Sequence, residues 1–226
     1  MQPLHIKIEL GSPLSGFQTR PLYLDGLLTG LRAELFDRVR DDTAVDSWSR
    51  ALELDDYLES FTSCDKRIWK ASQLIPNWLE TGQWLTKVRK TDPVIYMEAQ
   101  DQGLLKARRT STQVTAGHEK NYFIYQPIRW ASHIDAWCVG DQEELSHLLN
   151  SLRSIGRDRK NGFGAVKGVT VSRSEEAEQK WRWRVMPEGA VDQRDPAVSY
   201  VPGFETVCPP YWAPLKRVAC EIPILI

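Results

Sequence analysis

A short basic segment rich in glycine is the part of this sequence best suited to bind phosphate groups. It runs from Gly156 to Gly164 and reads GRDRKNGFG. Glycine lets a ligand approach main-chain N–H groups closely, and arginine and lysine supply the positive charge that phosphate attracts. We therefore expect the N–H groups near Gly162 and Gly164 to face phosphates. The candidate binding residues are Arg153, Gly156, Arg157, Arg159, Lys160, Asn161, Gly162, Phe163 and Gly164.

This segment does not match the two common nucleotide-binding motifs. A Walker A loop needs GxxxxGK[ST] between a strand and a following helix, whereas here Phe163 follows Gly162 and the helical pattern comes first. Gly162, Gly164 and Gly168 are spaced GxGxxxG, which also departs from the dinucleotide fingerprint. A basic loop beside an aromatic ring is typical of proteins that bind single-stranded RNA by combining charge with stacking, although Phe163 could instead fill the core.

Charge is distributed unevenly, although the formal net charge of the 226 residues is only -1. Residues 153–167 contain five basic residues and one acidic residue, a net charge of +4. Residues 34–65 contain ten acidic residues and three arginines, a net charge of -7. The first segment favours a polyanionic ligand. The second is expected to be a solvated face or a docking surface for a basic partner.

The elements that must position the glycine-rich segment follow from the hydrophobic pattern. Apolar and polar residues alternate over residues 3–10, which predicts a half-buried strand. Leucines from Leu145 to Leu152 recur at helical spacing, which predicts an amphipathic helix that begins after Asp141 and ends at Gly156. A strand through Val166, Val169 and Val171 should follow. The basic segment is therefore predicted to join a helix to a strand.

Weaker patterns predict further elements. Asp25 is expected to cap a helix, and an acidic helix is expected at 52–61. A short strand is predicted at 94–97, and Trp181 and Trp183 alternate with arginines as in a strand whose charged face could meet RNA. Strands rich in aromatic and β-branched residues are expected at 122–128, 132–139 and 215–222.

These elements predict an α+β fold, an RRM/ferredoxin-like antiparallel sheet with helices on one face. We expect one domain over residues 1–226, with an inserted basic hairpin region at about 76–121 and the glycine-rich loop towards the C-terminus. The sequence contains no run of about 18 apolar residues, so no membrane span is predicted. The four cysteines are scattered without a CxxC pair and no signal-peptide pattern follows Met1, which favours the cytoplasm.

Histidines are the natural candidates for catalysis, because metal-independent RNA cleavage needs one group to take a proton and another to give one. His118 lies beside Lys120 and Tyr122, and His133 lies beside Asp135. A solvated loop histidine and a hydrogen-bonded strand histidine are the simpler interpretations, so no catalytic residue is predicted. The sequence also lacks HExxH, HD and DxD motifs, and neither a metal nor a cofactor is expected.

The segment IGRDRKNGFGAV at 155–166, after an apolar helix, resembles the glycine-rich loop of the RAMP superfamily of CRISPR-associated proteins. With the first strand and the segment PLYLDGLL at 21–28, the chain resembles the small RAMP subunit of type IV CRISPR-Cas effector complexes, a Cas five-type protein. The similarity covers the two ends of the chain better than the middle.

The resemblance implies a non-catalytic structural subunit that binds the 5′ handle of the crRNA through the loop and caps the backbone filament. The implied partners are the crRNA, backbone RAMP subunits, a large-subunit-like protein and, through the complex, target double-stranded DNA in antiviral or anti-plasmid defence. Lys106, Arg108 and Arg109 would lie on a thumb-like hairpin that reaches a neighbouring backbone subunit or the handle.

Two alternatives remain open at this point. One is a metal-independent CRISPR-repeat endoribonuclease of the same superfamily, using His118 or His133 with Tyr122 or a lysine. The other is a protein-interaction domain that does not bind RNA.

Overall fold

The protein is described by a computed structural model that covers residues 1–16, 21–38, 50–90, 92–104, 121–213 and 216–225. The strands are β1 (Gln2–Leu10), β2 (Leu14–Ser15), β3 (Ser60–Ser63), β4 (Lys66–Trp69), β5 (Ile75–Trp78), β6 (Gln83–Arg89), β7 (Tyr122–Arg129), β8 (Ala131–Gly140), β9 (Val166–Arg173), β10 (Met186–Pro187), β11 (Tyr200–Thr206) and β12 (Arg217–Pro223). The helices are α1 (Leu24–Arg38), α2 (Pro93–Asp101), α3 (Gln142–Leu149) and α4 (Ala177–Lys180), with 3-10 turns at Arg159–Asn161 and Glu188–Gln193.

The described chain divides into two compact units. The first comprises Met1–Thr81 together with Arg129–Ile226, and the second comprises Gly82–Ile128.

A four-stranded antiparallel sheet forms the centre of the first unit. Its strands lie in the order β5-β8-β1-β9, and β1 pairs with β8 on one side and β9 on the other. In chain order the elements run β1, α1, β5, β8, α3, β9, which is the strand and helix sequence of an RRM/ferredoxin-like domain. The α+β fold class predicted from the sequence is confirmed.

The alternation in β1 places four apolar side chains against the helices. These side chains, Leu4, Ile6, Ile8 and Leu10, are buried. The leucines of α1 and α3 belong to the same hydrophobic cluster. Each fully buried side chain of this size stabilises the fold by about 1.5–3 kcal/mol, so this layer supplies the main driving force for docking both helices. The β1 prediction is confirmed.

The opposite face of the sheet carries polar and aromatic side chains. His5 stacks on Trp137 with 5.3 Å between ring centroids, and the Lys180 ammonium lies 4.7 Å from the Trp137 ring. Asp135 joins two histidines, since its oxygens lie 2.8 Å from His5 Nε2 and 3.2 Å from His133 Nε2. The interpretation of His133 as a hydrogen-bonded strand residue is confirmed.

A second sheet, in the order β10-β12-β11, completes the C-terminal part of the first unit. A smaller cluster packs it against the β3-β4 hairpin and the start of α1. The buried members of this cluster are Tyr23, Ile68, Val185, Val207 and Cys220.

Among the described residues, Arg184 is the largest fully buried side chain, and its guanidinium makes five hydrogen bonds to them. Its Nη1 donates to Asp25 at 3.2 Å and to the carbonyls of Trp69 and Ala71. Its Nη2 donates to the Val207 carbonyl at 2.8 Å and to the Tyr211 hydroxyl at 2.7 Å. The Arg184 Nε has no partner among the described residues. The guanidinium therefore joins four chain segments that are far apart in sequence.

Asp25 completes the network from its place in the first turn of α1. The Tyr211 hydroxyl lies 2.8 and 2.9 Å from its two oxygens, and the Gly26 N–H donates at 2.9 Å. Burial raises the pKa of Asp25, while Arg184 and Tyr211 counter that rise. Burial lowers the pKa of Arg184, but Asp25, Tyr211 and Tyr23 together raise it by more, and the net direction is upward. A cation and a hydroxyl donor in direct contact favour the ionised carboxylate.

This network overturns two sequence predictions. Asp25 does not precede α1 as an exposed cap, because the helix begins at Leu24 and Asp25 is buried in its first turn. Its carboxylate binds Arg184 and Tyr211, which come from the other end of the chain. The strand predicted at 181–184 is wrong, since α4 ends at Lys180 and turns follow. Its proposed charged face does not exist, because Arg184 points into the core.

Three further sequence predictions are corrected. Residues 94–97 lie in helix α2, since Asp92 caps its first turn and Pro93 stands at the first helical position. No helix covers 52–61, where Leu54 lies just before a turn and Leu58 forms a β-bridge with Gly140, and both leucines are buried. Helix α3 ends at Leu149 and not at Gly156, so Leu152 and Ile155 enter the core from a loop.

The second unit contains helix α2 and an antiparallel hairpin of β6 and β7, paired from Gln83 with Ile128 to Arg89 with Tyr122. One face of the hairpin carries exposed apolar rings, and Tyr125 lies edge-on to both Trp84 and Phe123. The predicted basic residues Lys106, Arg108 and Arg109 lie outside the described residues, as does His118.

We expect Arg184→Met to lower the free energy of unfolding by about 3–5 kcal/mol, because it leaves a buried carboxylate and three carbonyls without their cation. Tyr211→Phe, which keeps the ring and removes one hydroxyl, should cost about 1–3 kcal/mol. Urea denaturation followed by circular dichroism measures both.

The matched control is Arg67→Met, which removes a guanidinium from a half-exposed ion pair with Asp55 and should cost about 0–1 kcal/mol. Equal losses for Arg184→Met and Arg67→Met would show that the buried network does not hold the fold together.

Candidate nucleic-acid interface

Helix α3 leads into the glycine-rich loop. The Asp141 side chain accepts hydrogen bonds from the N–H groups of Glu143 and Glu144, both at 3.0 Å, and so fixes where the helix begins. After the helix, Ile155 anchors the chain in the core. Gly156 then adopts a φ of 90°, which turns the chain outward into the loop.

The two ends of the loop are held together by backbone hydrogen bonds. Ile155 N–H donates to the Gly164 carbonyl at 2.8 Å, and Val166 N–H donates to the Arg153 carbonyl at 2.9 Å. Gly164 has a φ of 64°, and a Cβ there would lie 1.8 Å from the Ile155 carbonyl oxygen. Only glycine fits at residue 164, because both the conformation and the close approach exclude a side chain.

The tip of the loop is a 3-10 turn at Arg159–Asn161 between two left-handed residues, Asp158 and Gly162. Gly162 N–H donates to the Arg159 carbonyl at 3.0 Å, and Gly164 N–H donates to the Pro13 carbonyl at 2.8 Å. The N–H groups of Gly162 and Gly164, which the sequence predicted to face phosphates, are therefore hydrogen-bonded within the protein. A phosphate at this loop would therefore have to contact the side chains that the backbone presents.

The cations of the loop are on the surface. Arg153, Arg157, Arg159 and Lys160 are all exposed, as are Asn161 and Gly162. Arg159 lies 3.1 Å from Glu34 in a half-exposed ion pair, which contributes little and which a phosphate can displace. Within the described part of the chain, the other three cations make no ion pair. Among the described residues, the positive charge of the loop is thus largely without an ion-pair partner.

Arg157 has a defined position in spite of its exposure. Its N–H donates to the Ser15 carbonyl at 3.0 Å. Its aliphatic stem crosses Gly16, where a Cβ would lie 2.5 Å from Arg157 Cδ. Gly16 also has a φ of 81°. The segment after β1 therefore orients this arginine, a role that neither stretch of sequence signalled by itself.

Phe163, the remaining predicted residue, lies within the loop and is half-buried, a position compatible with either a hydrophobic anchor or a stacking ring. Sequence patterns did not predict an apolar cleft beside the loop, which is lined by Gly156, Arg159, Tyr211 and Trp212 among others. The sequence feature that could have pointed to it is the aromatic pair Tyr211-Trp212 after two prolines, and in the structure Trp212 is 71% exposed.

Two general properties of the described residues bear on function. No cluster of three or more His, Cys, Asp or Glu side chains among them has the geometry to hold a metal ion. No helix among them has the length and apolar character needed to cross a membrane.

No curated protein matches the sequence. The family model described as CRISPR type IV associated protein Csf3 matches residues 2–223, nearly the whole chain. This match confirms the type IV CRISPR assignment that the glycine-rich loop and the two ends of the chain predicted. The chain belongs to the Csf3 family of type IV CRISPR-associated proteins.

Proposed function

We propose that this protein is a non-catalytic structural subunit of a type IV CRISPR ribonucleoprotein and that it binds crRNA through the glycine-rich loop. The observation that carries the proposal is the loop itself: four exposed cations on a backbone whose conformation is fixed by glycines and by hydrogen bonds to the segment after β1. Fixed cations suit the spaced phosphates of a nucleic acid, since little side-chain and loop entropy is lost on binding.

The RRM/ferredoxin-like sheet supports RNA as the ligand, but the sheet face does not offer the usual stacking platform. Trp137 on that face is only 8% exposed, because His5, Lys180 and Trp183 pack around it. On the glycine-rich loop itself, the exposed side chains are mainly cations. We therefore assign RNA contact to the edge of the domain that carries the loop.

The finer parts of the proposal come from the resemblance to Cas five-type subunits. The loop would hold the 5′ handle, the protein would cap the backbone filament of RAMP subunits beside a large-subunit-like protein, and the cytoplasmic complex would bind target double-stranded DNA. The exposed ring-bearing face of the β6-β7 hairpin supports a protein contact for the second unit, since exposed apolar patches of this kind mark interaction surfaces. A contact by Lys106, Arg108 and Arg109 rests on the resemblance alone.

The endoribonuclease alternative is favoured by one observation, the cluster of His5, Asp135 and His133 on the open sheet face. However, His133 Nδ1 lies 2.7 Å from the Ser132 hydroxyl and its Nε2 faces Asp135. His5 Nε2 also faces Asp135, while its ring stacks on Trp137. These contacts hold the rings within the protein, which suits a structural role better than proton transfer to RNA.

We expect Arg157→Ala combined with Lys160→Ala to weaken binding of a mature handle-bearing crRNA. Removing two phosphate contacts should also make the plot of log K against log salt shallower by about 1.4, since each contact to a single strand contributes about 0.7. Fluorescence anisotropy over a series of salt concentrations measures both quantities.

The matched control is Arg67→Ala combined with Arg173→Ala, which removes the same charge from exposed positions outside the loop. If both pairs change the affinity and slope equally, net charge and not the loop determines binding. If neither pair has an effect, the protein is an interaction domain that does not bind RNA.

We expect the purified protein to shift the mature crRNA on native gels and to leave the CRISPR repeat RNA intact on denaturing gels in EDTA. Single His5→Ala, His118→Ala, His133→Ala and His147→Ala variants should behave like the wild type. Cleavage of the repeat at one site, lost in one histidine variant, would establish the endoribonuclease alternative.

A further inference from the structure

A cleft of about 280 Å³ opens between helix α1, the start of the glycine-rich loop and the segment after β11. One wall is formed by Leu27, Gly30 and Leu31 of α1, and the other by Leu152 and Ile155. The volume lies just below the roughly 300–1,000 Å³ typical of small-molecule sites. The cleft therefore has room for one flat ring system.

Gly30 lines the cleft where the described residues leave open space. Glycine inside a helix is less stable than alanine, so it needs a reason. Gly26, one turn earlier, has one: a Cβ there would lie 3.0 Å from the Tyr211 ring. At Gly30 the backbone is helical and nothing lies within 4 Å of an added Cβ. No contact within the described protein requires glycine at this position, and a ligand in the cleft would.

The far side of the cleft is an aromatic edge held in place by the core. The Tyr211 hydroxyl is bound to Asp25 and Arg184, and its ring stacks on Tyr23 with 4.4 Å between centroids. Trp212 follows directly, also lines the cleft and is 71% exposed. A large ring presented at the mouth of a cleft by an anchored neighbour is suited to stack on another flat ring.

The rim of the cleft belongs to the glycine-rich loop. Gly156 and Arg159 line both, and Arg159 shares the rim with Glu34, with which it pairs at 3.1 Å. Arg157 and Lys160, on either side of Arg159 in the loop, are exposed. The site thus combines an apolar interior with positive charge at its mouth. This combination matches an unpaired nucleotide, whose base is a flat ring and whose phosphate is an anion.

We propose that this cleft binds one unpaired base of the single-stranded RNA whose phosphates contact the glycine-rich loop. The base enters between α1 and Ile155 and stacks on Trp212, while its phosphate displaces Glu34 from Arg159. The inference rests on the proposed function, because it requires RNA at the loop. It adds a second kind of contact, which depends on the presence of a base and not on charge.

Two pairs of variants test the site in the full-length protein. Trp212→Ala removes the ring and Trp212→Phe keeps one. Gly30→Leu fills the cleft and Gly30→Ala adds only a methyl group, and both replacements favour the helix, so folding is retained. We expect Trp212→Ala and Gly30→Leu to bind the mature crRNA about 5- to 150-fold more weakly, the range for loss of one base–aromatic stack. Gly30→Ala and Trp212→Phe should bind nearly as well as the wild type.

A crRNA series with single abasic nucleotides in the 5′ handle locates the base. One abasic position should weaken binding to the wild type and have no further effect on Trp212→Ala, since two changes that remove the same contact are not additive. If every abasic position weakens both proteins equally, or none weakens the wild type, the cleft does not hold a base. The same holds if Trp212→Ala impairs only assembly with protein subunits, which would make the occupant a protein side chain.

The Arg157→Ala and Lys160→Ala pair, measured beside these variants, separates the two claims. If it weakens RNA binding while the cleft variants do not, the loop function stands and the base site is wrong. If neither set weakens binding, the proposed RNA-binding function fails as well.

Discussion

The buried ion pair between Asp25 and Arg184 is the constraint on which the rest of the first unit depends. Burying a guanidinium is costly unless its donors meet acceptors, and here the acceptors come from α1, the chain after β4 and the segment after β11. The network forms only when these segments are all in place. Its main effect is therefore specificity, because another packing of the same segments would leave a buried charge unpaired. The anchored Tyr211 hydroxyl then fixes the loop that carries Trp212.

Features that depend on neighbouring residues could be predicted from the sequence, whereas features that depend on distant contacts could not. The alternation of β1 and the Asp141 cap of α3 depend on neighbouring residues, and both appear where the sequence predicts them. Asp25 has the composition of a helix cap, yet its partner Arg184 lies 159 residues away. Tryptophan and arginine alternate at 181–184 as they would in a strand with one charged face. The strand prediction is wrong because Arg184 is buried in the core, and hydrophobic periodicity cannot predict a buried charged residue.

The same distinction between local and distant contacts applies to the candidate site. Composition was enough to identify the glycine-rich loop, because its glycines, arginines and lysine lie together in one short segment. It could not show that the N–H groups of Gly162 and Gly164 donate to carbonyls, one of them in the segment after β1. It also could not show that Gly16 supports Arg157, or that Trp212 reaches a cleft beside the loop. Each of these features joins segments that are distant in the sequence, and only the fold brings them together.

The small number of cations on the loop limits how much affinity phosphate neutralisation there could supply in the proposed RNA contact. Arg153, Arg157, Arg159 and Lys160 surround the loop, on a chain whose formal net charge is -1. Four contacts to a single strand give a salt slope of only about -3. Affinity beyond that must come from interactions that salt screens weakly, such as stacking and surfaces shared with other subunits. In the proposed function, the loop would set the position of a few phosphates, and contacts independent of charge would determine which nucleotides occupy them.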